Sequence, residues 1–363
     1  MRSALAIVAV LASCSYDAKF RDCQVSCGAQ SSCPTGFACG AEGLCRTGGV
    51  ETTSCGAVLD ANPGDDAMTG GDAGSGGSGS TATPGLYVID FEQNRVYVYP
   101  PDATGSATPT HTIAGSDTDL VNPIGVAVDH HGNIVVANLG GEVTVFPPDA
   151  DGDAIPARVL SNPSGLREPT GVAVAGDDSI FVAYLGPIIA HYPPNASSSD
   201  RQVSPGSFGG EPYLTIDSAG DLVVADVSEV RTYAPTASGS DAPLSEFGLA
   251  QAQNALAVAT NGNAIILTED TGALQLFGAD DIGSNVNPVR VLDPSALNHG
   301  AGGEFLATDG AVVSPTLYTG EAQQPVVFII EAAGSGTALT GDVTAELDLP
   351  DGAEPGGIAV VRP

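Results

Sequence analysis

The octapeptide Tyr99-Pro-Pro-Asp-Ala-Thr-Gly-Ser106 recurs along this chain in altered copies. Each copy starts with an aromatic residue at the end of an alternating, strand-like pattern and runs into a loop rich in Pro, Ala, Gly and Ser. The copies begin at Tyr99, Phe146, Tyr192, Tyr233, Phe277 and Phe328, and the last two are the weakest. Their spacing of 41 to 51 residues predicts six similar structural units, because self-similarity at such a period is typical of repeat folds.

Short, continuously apolar segments repeat in step with these loops. They suit the crowded inner ring of a closed β structure, and they are Gly125–Asp129, Gly171–Ala175, Leu214–Asp217, Leu256–Ala259, Phe305–Thr308 and Gly357–Val361. A turn and a second strand follow each of the first five, as in Ile134–Asn138, Ile180–Tyr184 and Leu222–Asp226. Third strands lead to the repeated aromatics, and fourth strands such as Ala157–Leu160 end the units. Four strands in each unit predict a propeller blade.

The two ends of the repeat region predict how the ring closes. The region opens with a second strand, Leu86–Asp90, that has no inner strand before it, and it finishes with the inner strand Gly357–Val361. Pairing of these two strands would complete the first blade and remove exposed sheet edges. We therefore expect an all-β fold over residues 85–363, a six-bladed β-propeller with four-stranded blades that is closed by the carboxyl-terminal strand.

Two stretches of the repeat resemble the NHL-repeat family of propellers. They are Pro123-Ile-Gly-Val-Ala-Val-Asp-His-His-Gly-Asn-Ile-Val-Val-Ala-Asn138 and Gln93-Asn-Arg-Val-Tyr-Val-Tyr99. The Trp-Asp and Gly-His signatures of WD40 propellers do not occur in the sequence. The resemblance implies an NHL-like propeller.

The amino-terminal residues resemble the signal of a bacterial lipoprotein. A positively charged start precedes the apolar run 4–11, which is shorter than the roughly 20 residues that a membrane-spanning helix needs. The run ends in Leu11-Ala-Ser-Cys14, which resembles a lipobox. The resemblance implies that residues 1–13 are a signal peptide and that Cys14 is lipidated, and several acyl chains give stable anchoring. Ser15, where aspartate would signal inner-membrane retention, favours the outer membrane or cell surface. An ordinary secretory signal is the alternative.

The remaining cysteines form a compact segment within residues 14–56. They are Cys23, Cys27, Cys33, Cys39, Cys45 and Cys55. An even number of closely spaced cysteines in an exported chain predicts three disulfides, whose pairing the sequence leaves open among 15 arrangements. A zinc module is the alternative, but the Cys-x2-Cys knuckle and interspersed histidines that such modules usually show are missing. Residues 57–84 are dominated by Gly, Ser, Asp, Thr and Ala, which predicts a flexible linker.

The charge limits the partners of the chain. Forty-three acidic residues face eleven basic ones, a formal net charge of −32. Such a charge repels phosphate backbones and argues against nucleic acid as a partner. It indicates an acidic surface that keeps an extracellular domain soluble, and a face that binds cations or basic ligands is the alternative.

Polar residues at the ends of second strands are the candidate ligand-face residues. They are Asp90, Asn138, Tyr184 and Asp226. Some related six-bladed propellers are metal-dependent lactonases or lyases, and in that alternative Asp90, Asn138 and Asp226 would hold a metal such as calcium. The favoured interpretation is a polar rim that solvates the channel mouth. We find no catalytic set, commit to no metal, and expect no cofactor.

The histidines and one acidic loop are further candidate metal-binding residues. His130 and His131 lie in a turn between a first and a second strand, at the opposite face, and are expected to be exposed turn residues. Asp149–Asp153 lacks the later glycine and glutamate of a calcium-binding EF-hand loop, and is expected to be a turn. The sequence therefore predicts an extracytoplasmic lipoprotein whose propeller is a binding or scaffold module for a protein, peptide or glycan. The alternative is the metal-dependent propeller enzyme.

Overall fold

The computed structural model describes residues 37–39, 45–47, 82–186, 188–204, 212–225, 229–249, 255–260, 264–269, 274–278, 281–288, 290–292, 305–308, 316–320, 325–331 and 343–362. The chain divides into two units, Met1–Ser75 and Gly76–Pro363. In the first unit, β1 (Phe37–Cys39) and β2 (Cys45–Thr47) form an antiparallel pair with Cys39 opposite Cys45. Some predictions concern residues outside those described. They are the signal segment 1–13, the linker up to residue 81, Cys14, Cys23, Cys27, Cys33, Cys55 and Asp226.

All regular secondary structure described in the second unit is β-strand. Its first half contains β3 (Gly85–Asp90), β4 (Arg95–Tyr99), β5 (His111–Ile113), β6 (Pro123–Val128), β7 (Ile134–Asn138), β8 (Val143–Phe146), β9 (Arg158–Leu160), β10 (Pro169–Val174), β11 (Ile180–Tyr184), β12 (Ile188–Tyr192) and β13 (Arg201–Val203). Its second half contains β14 (Tyr213–Ile216), β15 (Leu222–Ala225), β16 (Glu229–Tyr233), β17 (Ser245–Leu249), β18 (Ala255–Thr260), β19 (Ala264–Glu269), β20 (Leu274–Gly278), β21 (Gly283–Val286), β22 (Arg290–Leu292), β23 (Phe305–Thr308), β24 (Thr316–Gly320), β25 (Val326–Glu331), β26 (Val343–Asp348) and β27 (Pro355–Val361). The parts of the chain that are described contain no helix long and apolar enough to cross a membrane.

These strands form sheets arranged around a circle. The innermost strands touch one another in the order β27, β6, β10, β14, β18, β23 and back to β27. The sheets in the same order are β27-β3-β4-β5, β6-β7-β8-β9, β10-β11-β12-β13, β14-β15-β16-β17-β21, β18-β19-β20-β22 and β23-β24-β25-β26. The unit is therefore an all-β propeller, and we call these sheets its first to sixth blades. Within the described residues five blades have four strands and the fourth has five, so the expectation of six four-stranded blades is wrong in this respect.

The extra strand has a physical origin in the repeated octapeptide. Gly105, Gly152 and Gly239 occupy the same place in three copies and have left-handed φ angles of 57°, 61° and 59°. Each forms a parallel bridge to the outer strand of the preceding blade, opposite Leu347, Ile113 and Val203 respectively. Such φ values favour glycine, because in other residues the Cβ atom would lie too close to the backbone.

Gly283 holds this place in the fifth copy, and it pairs with Phe247 of β17. There the bridge extends into β21, which becomes the outermost strand of the fourth blade. The glycines of the repeat, Gly105, Gly152, Gly239 and Gly283, therefore each connect their blade to the preceding one through backbone hydrogen bonds.

The ring closes through its last strand, as the sequence predicts. β27 pairs antiparallel with β3, with Ile358 opposite Val88 and Ala359 opposite Tyr87. The last strand is therefore the inner strand of the first blade, and the prediction of closure is confirmed.

The hydrophobic core lies between neighbouring blades. The repeated aromatics Tyr99, Phe146, Tyr192, Tyr233, Phe277 and Phe328 are all buried. Phe277 of the fifth blade, for example, packs against Phe247 of the fourth, with ring centroids 5.1 Å apart. Second strands such as β7 are buried at every residue, because both faces of the strand meet a neighbouring blade. This explains why such strands are continuously apolar instead of alternating.

Candidate functional site

A channel of about 520 Å³ runs between the inner strands. Its described lining comprises segments 124–128, 170–174, 213–216, 258–259, 306–308 and 357–360. Most of these residues are Gly, Ala, Val, Ile or Leu, and the polar side chains are the hydroxyl groups of Thr170, Tyr213, Thr215 and Thr308. Among the described lining residues there is no carboxylate, imidazole, amine or guanidinium group. A volume of this size is typical of small-molecule sites, and the lining suits an uncharged group.

One wall residue of the channel has an unsatisfied polar atom. Thr170 Oγ1 is buried and has no hydrogen-bond partner among the described residues. A buried hydroxyl without a partner costs free energy, so a neighbouring polar group would be favoured there.

The predicted ligand-face residue Asp90 ends β3 and is fully buried. Its Oδ1 accepts hydrogen bonds from the backbone N–H groups of Gln93, at 3.1 Å, and Glu354, at 3.3 Å. Its Oδ2 accepts one from the Tyr97 hydroxyl at 3.2 Å. The carboxylate therefore fixes the turn after β3 and ties it to the segment that leads into β27.

Asn138 holds the equivalent place at the end of β7 and is also fully buried. Its Oδ1 accepts a hydrogen bond from Val121 N at 3.2 Å. Its Nδ2 donates to the Glu142 carbonyl at 2.7 Å and to Thr144 Oγ1 at 3.2 Å. The amide thus holds the β7–β8 turn against the segment that precedes β6.

Tyr184 ends β11, and its hydroxyl lies inside the protein. This hydroxyl is 2.8 Å from the Tyr192 hydroxyl and 3.1 Å from Asn162 Oδ1. Tyr192 in turn donates to the Ser161 carbonyl at 3.0 Å. Burial, followed by the hydrogen bond to Tyr192, raises the pKa of the Tyr184 phenol well above its usual value. The phenol is therefore neutral at physiological pH.

These three strand ends make separate networks. Among the described residues no hydrogen bond joins Asp90, Asn138 and Tyr184 to one another. The fourth predicted ligand-face residue, Asp226, lies outside the described residues.

A different cluster forms at the opposite ends of the second strands, where the β6–β7 turn meets the β10–β11 turn. One ligand atom each from Asp129, His131 and Asp178 lie within 4.8 Å of one another. His130 Nδ1 is 3.0 Å from Asp178 Oδ1, and His131 Nδ1 is 3.0 Å from Asp178 Oδ2. Asp129 is buried, while the His130 and His131 side chains are 53% and 71% exposed. The two histidines are exposed turn residues, as predicted, and both contact the carboxylate of the next blade.

This cluster was not predicted from the sequence, because its residues come from turns of two different repeats. Aligned by their hydrogen bonds, the turns are Asp129–Asn133, Ala175–Ser179 and Asp217–Asp221. Gly132 and Gly220 fill the fourth position of their turns, whereas Asp178 fills it in the middle one. A carboxylate in a glycine position beside a His-His pair in the neighbouring repeat was the available signal.

The acidic loop Asp149–Asp153 uses its carboxylates within the protein. Asp151 Oδ1 accepts a hydrogen bond from Thr112 N at 2.9 Å, and Asp153 Oδ1 accepts one from Asp117 N at 2.7 Å. These contacts reach the outer edge of the first blade from the second. The loop is a turn, as expected, and it also joins two blades.

Comparison with known proteins identifies the fold of this chain. No family model matches this chain, and no curated protein matches it. A protein of unknown function from Bacteroides caccae, known from its crystal structure, is similar with a TM-score of 0.52 and 15% identity, over 77% of this chain and 100% of that chain. The WD40 β-propeller domain of Doa1 is similar with a TM-score of 0.50 and 10% identity, over 74% of this chain and 81% of that chain. At these identities the likeness shows an all-β propeller and nothing finer.

Proposed function

We propose that this protein is an exported, NHL-like propeller lipoprotein, anchored at the outer membrane or cell surface through Cys14, that binds its ligand without catalysis. The propeller is the binding module. An uncharged, largely apolar group of a protein, peptide or glycan ligand enters the central channel. The six cysteines from Cys23 to Cys55 form disulfides, and residues 57–84 act as the tether.

The lining of the channel is the observation that supports this function best. The described lining residues supply apolar surface and hydroxyl groups, and apart from the Tyr213 phenol they supply none of the acid–base or metal-ligating groups that hydrolytic chemistry uses. Apolar burial provides the affinity of such a site, and a few placed hydroxyls such as Thr170 provide orientation.

The metal-dependent enzyme is less well supported. It would need Asp90 and Asn138 to converge on one ion, but their side chains belong to separate hydrogen-bond networks. Asp90 bonds to Gln93, Tyr97 and Glu354, whereas Asn138 bonds to Val121, Glu142 and Thr144.

Blocking the channel tests the binding site. Gly171 lines the channel, and a Cβ atom built on it meets no atom within 4 Å. We expect Gly171→Leu to fill the channel without disturbing the fold. Gly176 is the matched control, because it lies in the same blade with equal free space but in an exposed turn.

The probe for this test is the neutral fluorophore N-phenyl-1-naphthylamine, added to the full chain with Cys14→Ser so that no lipid competes for it. We expect saturable binding that Gly171→Leu abolishes and Gly176→Leu leaves intact. Equal binding by both variants at unchanged thermal stability would overturn the channel as the binding site.

Anchoring is tested by expressing the full chain in a bacterial host fed with radiolabelled palmitate. The wild type should incorporate label and partition into the detergent phase of Triton X-114. The Cys14→Ala variant should do neither, and label retained in that variant would refute lipidation at Cys14.

A further inference from the structure

We propose that Asp129, His131 and Asp178 bind a zinc-type divalent transition-metal ion. The site bridges the second and third blades, at the end of the propeller opposite the loops that join second and third strands. It is independent of the channel and of the lipid anchor. Its three ligand atoms already lie within 4.8 Å of one another.

Asp178 is held in place for this role. Its Oδ1 accepts a hydrogen bond from the His130 backbone N–H at 2.9 Å, and the His130 ring nitrogen Nδ1 lies 3.0 Å from the same oxygen. Its Oδ2 is thereby directed to His131 Nδ1, 3.0 Å away. A metal ion would be bound by both Oδ2 and Nδ1. His130 is a positioning residue, of the kind that orients metal-bound carboxylates.

Asp129 is held equally firmly. Its Oδ1 accepts hydrogen bonds from His131 N at 2.9 Å and Asn133 N at 2.8 Å, and its Oδ2 accepts one from Asn133 Nδ2 at 2.7 Å. Each carboxylate oxygen has two lone pairs, so Oδ2 can still coordinate an ion. The carboxylate is buried, which limits the competition of water for it.

One imidazole nitrogen and two carboxylates are the donors, and they indicate which class of ion would bind. Imidazole nitrogen is a ligand for zinc, copper and nickel, whereas calcium takes six to eight oxygen ligands. Tetrahedral zinc with bonds of about 2.0–2.1 Å needs its ligand atoms about 3.4 Å apart. A pair at the 4.8 Å limit must therefore close by up to about 1.4 Å. His131 can make this movement, because its side chain is 71% exposed. Three protein ligands leave a fourth position for water.

The backbone of Asp178 has the left-handed conformation that glycine has in the sister turns. Its φ is 64°, and the matching residues of the neighbouring turns are Gly132, with φ 84°, and Gly220, with φ 83°. Aspartate is one of the few residues besides glycine that adopts such a φ readily, so this turn can place a carboxylate beside two histidines.

The test uses variants that copy residues from a sister turn. Asp178→Gly places the residue of Gly132 and Gly220 there, and His131→Ala places the residue of Ala219, whose backbone N–H makes the same hydrogen bond to Asp217 at 2.8 Å. Both variants should fold. His111→Ala, a partly buried histidine of β5, is the control.

Zn²⁺ is titrated calorimetrically into the full chain, without a polyhistidine tag and with any free thiols alkylated. We expect one Zn²⁺ site in the wild type and in His111→Ala, and its loss in Asp178→Gly and His131→Ala. His130→Ala should keep the site with affinity lower by about tenfold or more. Zn²⁺ should also raise the melting temperature of the wild type but not of Asp178→Gly, because an ion that binds only the folded state stabilises it. Equal Zn²⁺ affinity in wild type and Asp178→Gly, or no binding to the wild type, would overturn the proposal.

Discussion

Ile358 in the last strand lies opposite Val88 in the first strand of the propeller, and this antiparallel pairing closes the ring. The strand that carries Ile358 also packs against the inner strands of both adjacent blades, β6 and β23. Disturbing β27 should therefore weaken the first blade and both its neighbours together.

Gly357→Ala is a sharp test of this closure. A Cβ atom at Gly357 would lie 2.8 Å from the Ile124 carbonyl oxygen and 2.9 Å from Gly125 Cα, both backbone atoms of β6 that cannot move aside cheaply. We expect a loss of about 1–3 kcal/mol in the free energy of unfolding, measured by urea denaturation. Gly171→Ala, on an inner strand with open space around its Cβ position, should change stability far less. Equal effects of the two substitutions would contradict the close packing of β27 on β6.

A second prediction concerns the contact between the outer edges of the first and second blades. Gly115 has a φ of 143°, and a Cβ atom on it would lie 2.1 Å from Asp153 Oδ1. Gly115→Ala should therefore displace the Asp153 carboxylate from Asp117 N. Asp153→Ala alone should cost about 1 kcal/mol, the usual value of one hydrogen bond. The double variant removes the clash with the carboxylate and keeps only the 2.7 Å approach to the Cβ atom of residue 153, so its loss should be smaller than the sum of the single losses, and additive losses would count against this contact.

Alkaline pH should unfold the protein through its buried tyrosines. Burial raises the pKa of the phenols of Tyr87, Tyr97, Tyr99, Tyr184, Tyr192 and Tyr233 above the ordinary value of 10.0. A raised folded-state pKa gives stability that is complete below the unfolded-state pKa and is lost as pH rises through the folded-state value. Phenolate absorbance should therefore appear late and cooperatively, together with unfolding, whereas urea-unfolded chain should titrate near pH 10. Smooth titration of all nine tyrosines near pH 10 in folded protein would be inconsistent with this.

Low pH should destabilise the protein in part through Asp200, whose Oδ1 lies 2.6 Å from Nδ1 of the buried His191. Burial by itself raises the pKa of the Asp200 carboxyl, but the hydrogen bond and charge of His191 outweigh it, and the pKa lies below its ordinary 3.8. The stability that this lowering provides is present above about pH 4 and is lost as pH falls through the folded-state value. We expect Asp200→Asn to be less stable than the wild type at about pH 5, with a smaller difference at about pH 3. A difference independent of pH in urea denaturation would speak against an ionised Asp200.

Local patterning was sufficient to predict the inner and second strands of the blades, but not the fifth strand of the fourth blade. The apolar run at 134–138 is β7, and the run at 180–184 is β11, because a strand buried on both faces must be apolar throughout. The first four repeated aromatics end their third strands, whereas Phe277 is the last residue but one of β20 and Phe328 lies within β25. All six are buried. Closure by β27 was also predictable, because one unpaired strand remained at each end of the repeat.

Residues that meet across blades could not be placed in the same way. β21 joins the fourth blade although its residues belong to the fifth repeat, and Asp178 joins the histidines of the preceding repeat. Asp90, Asn138 and Tyr184 look like rim residues in the sequence, yet all three are buried in hydrogen-bond networks.

The sequence and the tertiary structure determine different features of this protein for a physical reason. Strand, turn and repeat depend on neighbours within a few residues, and the period of the side chains along the chain carries that information directly. Contacts such as that between His131 and Asp178 join atoms about one repeat apart, and they depend on how two twisted blades pack side by side. Only the folded ring, in which each blade is oriented by the next, determined which polar groups are satisfied internally and which lie together in a candidate metal site.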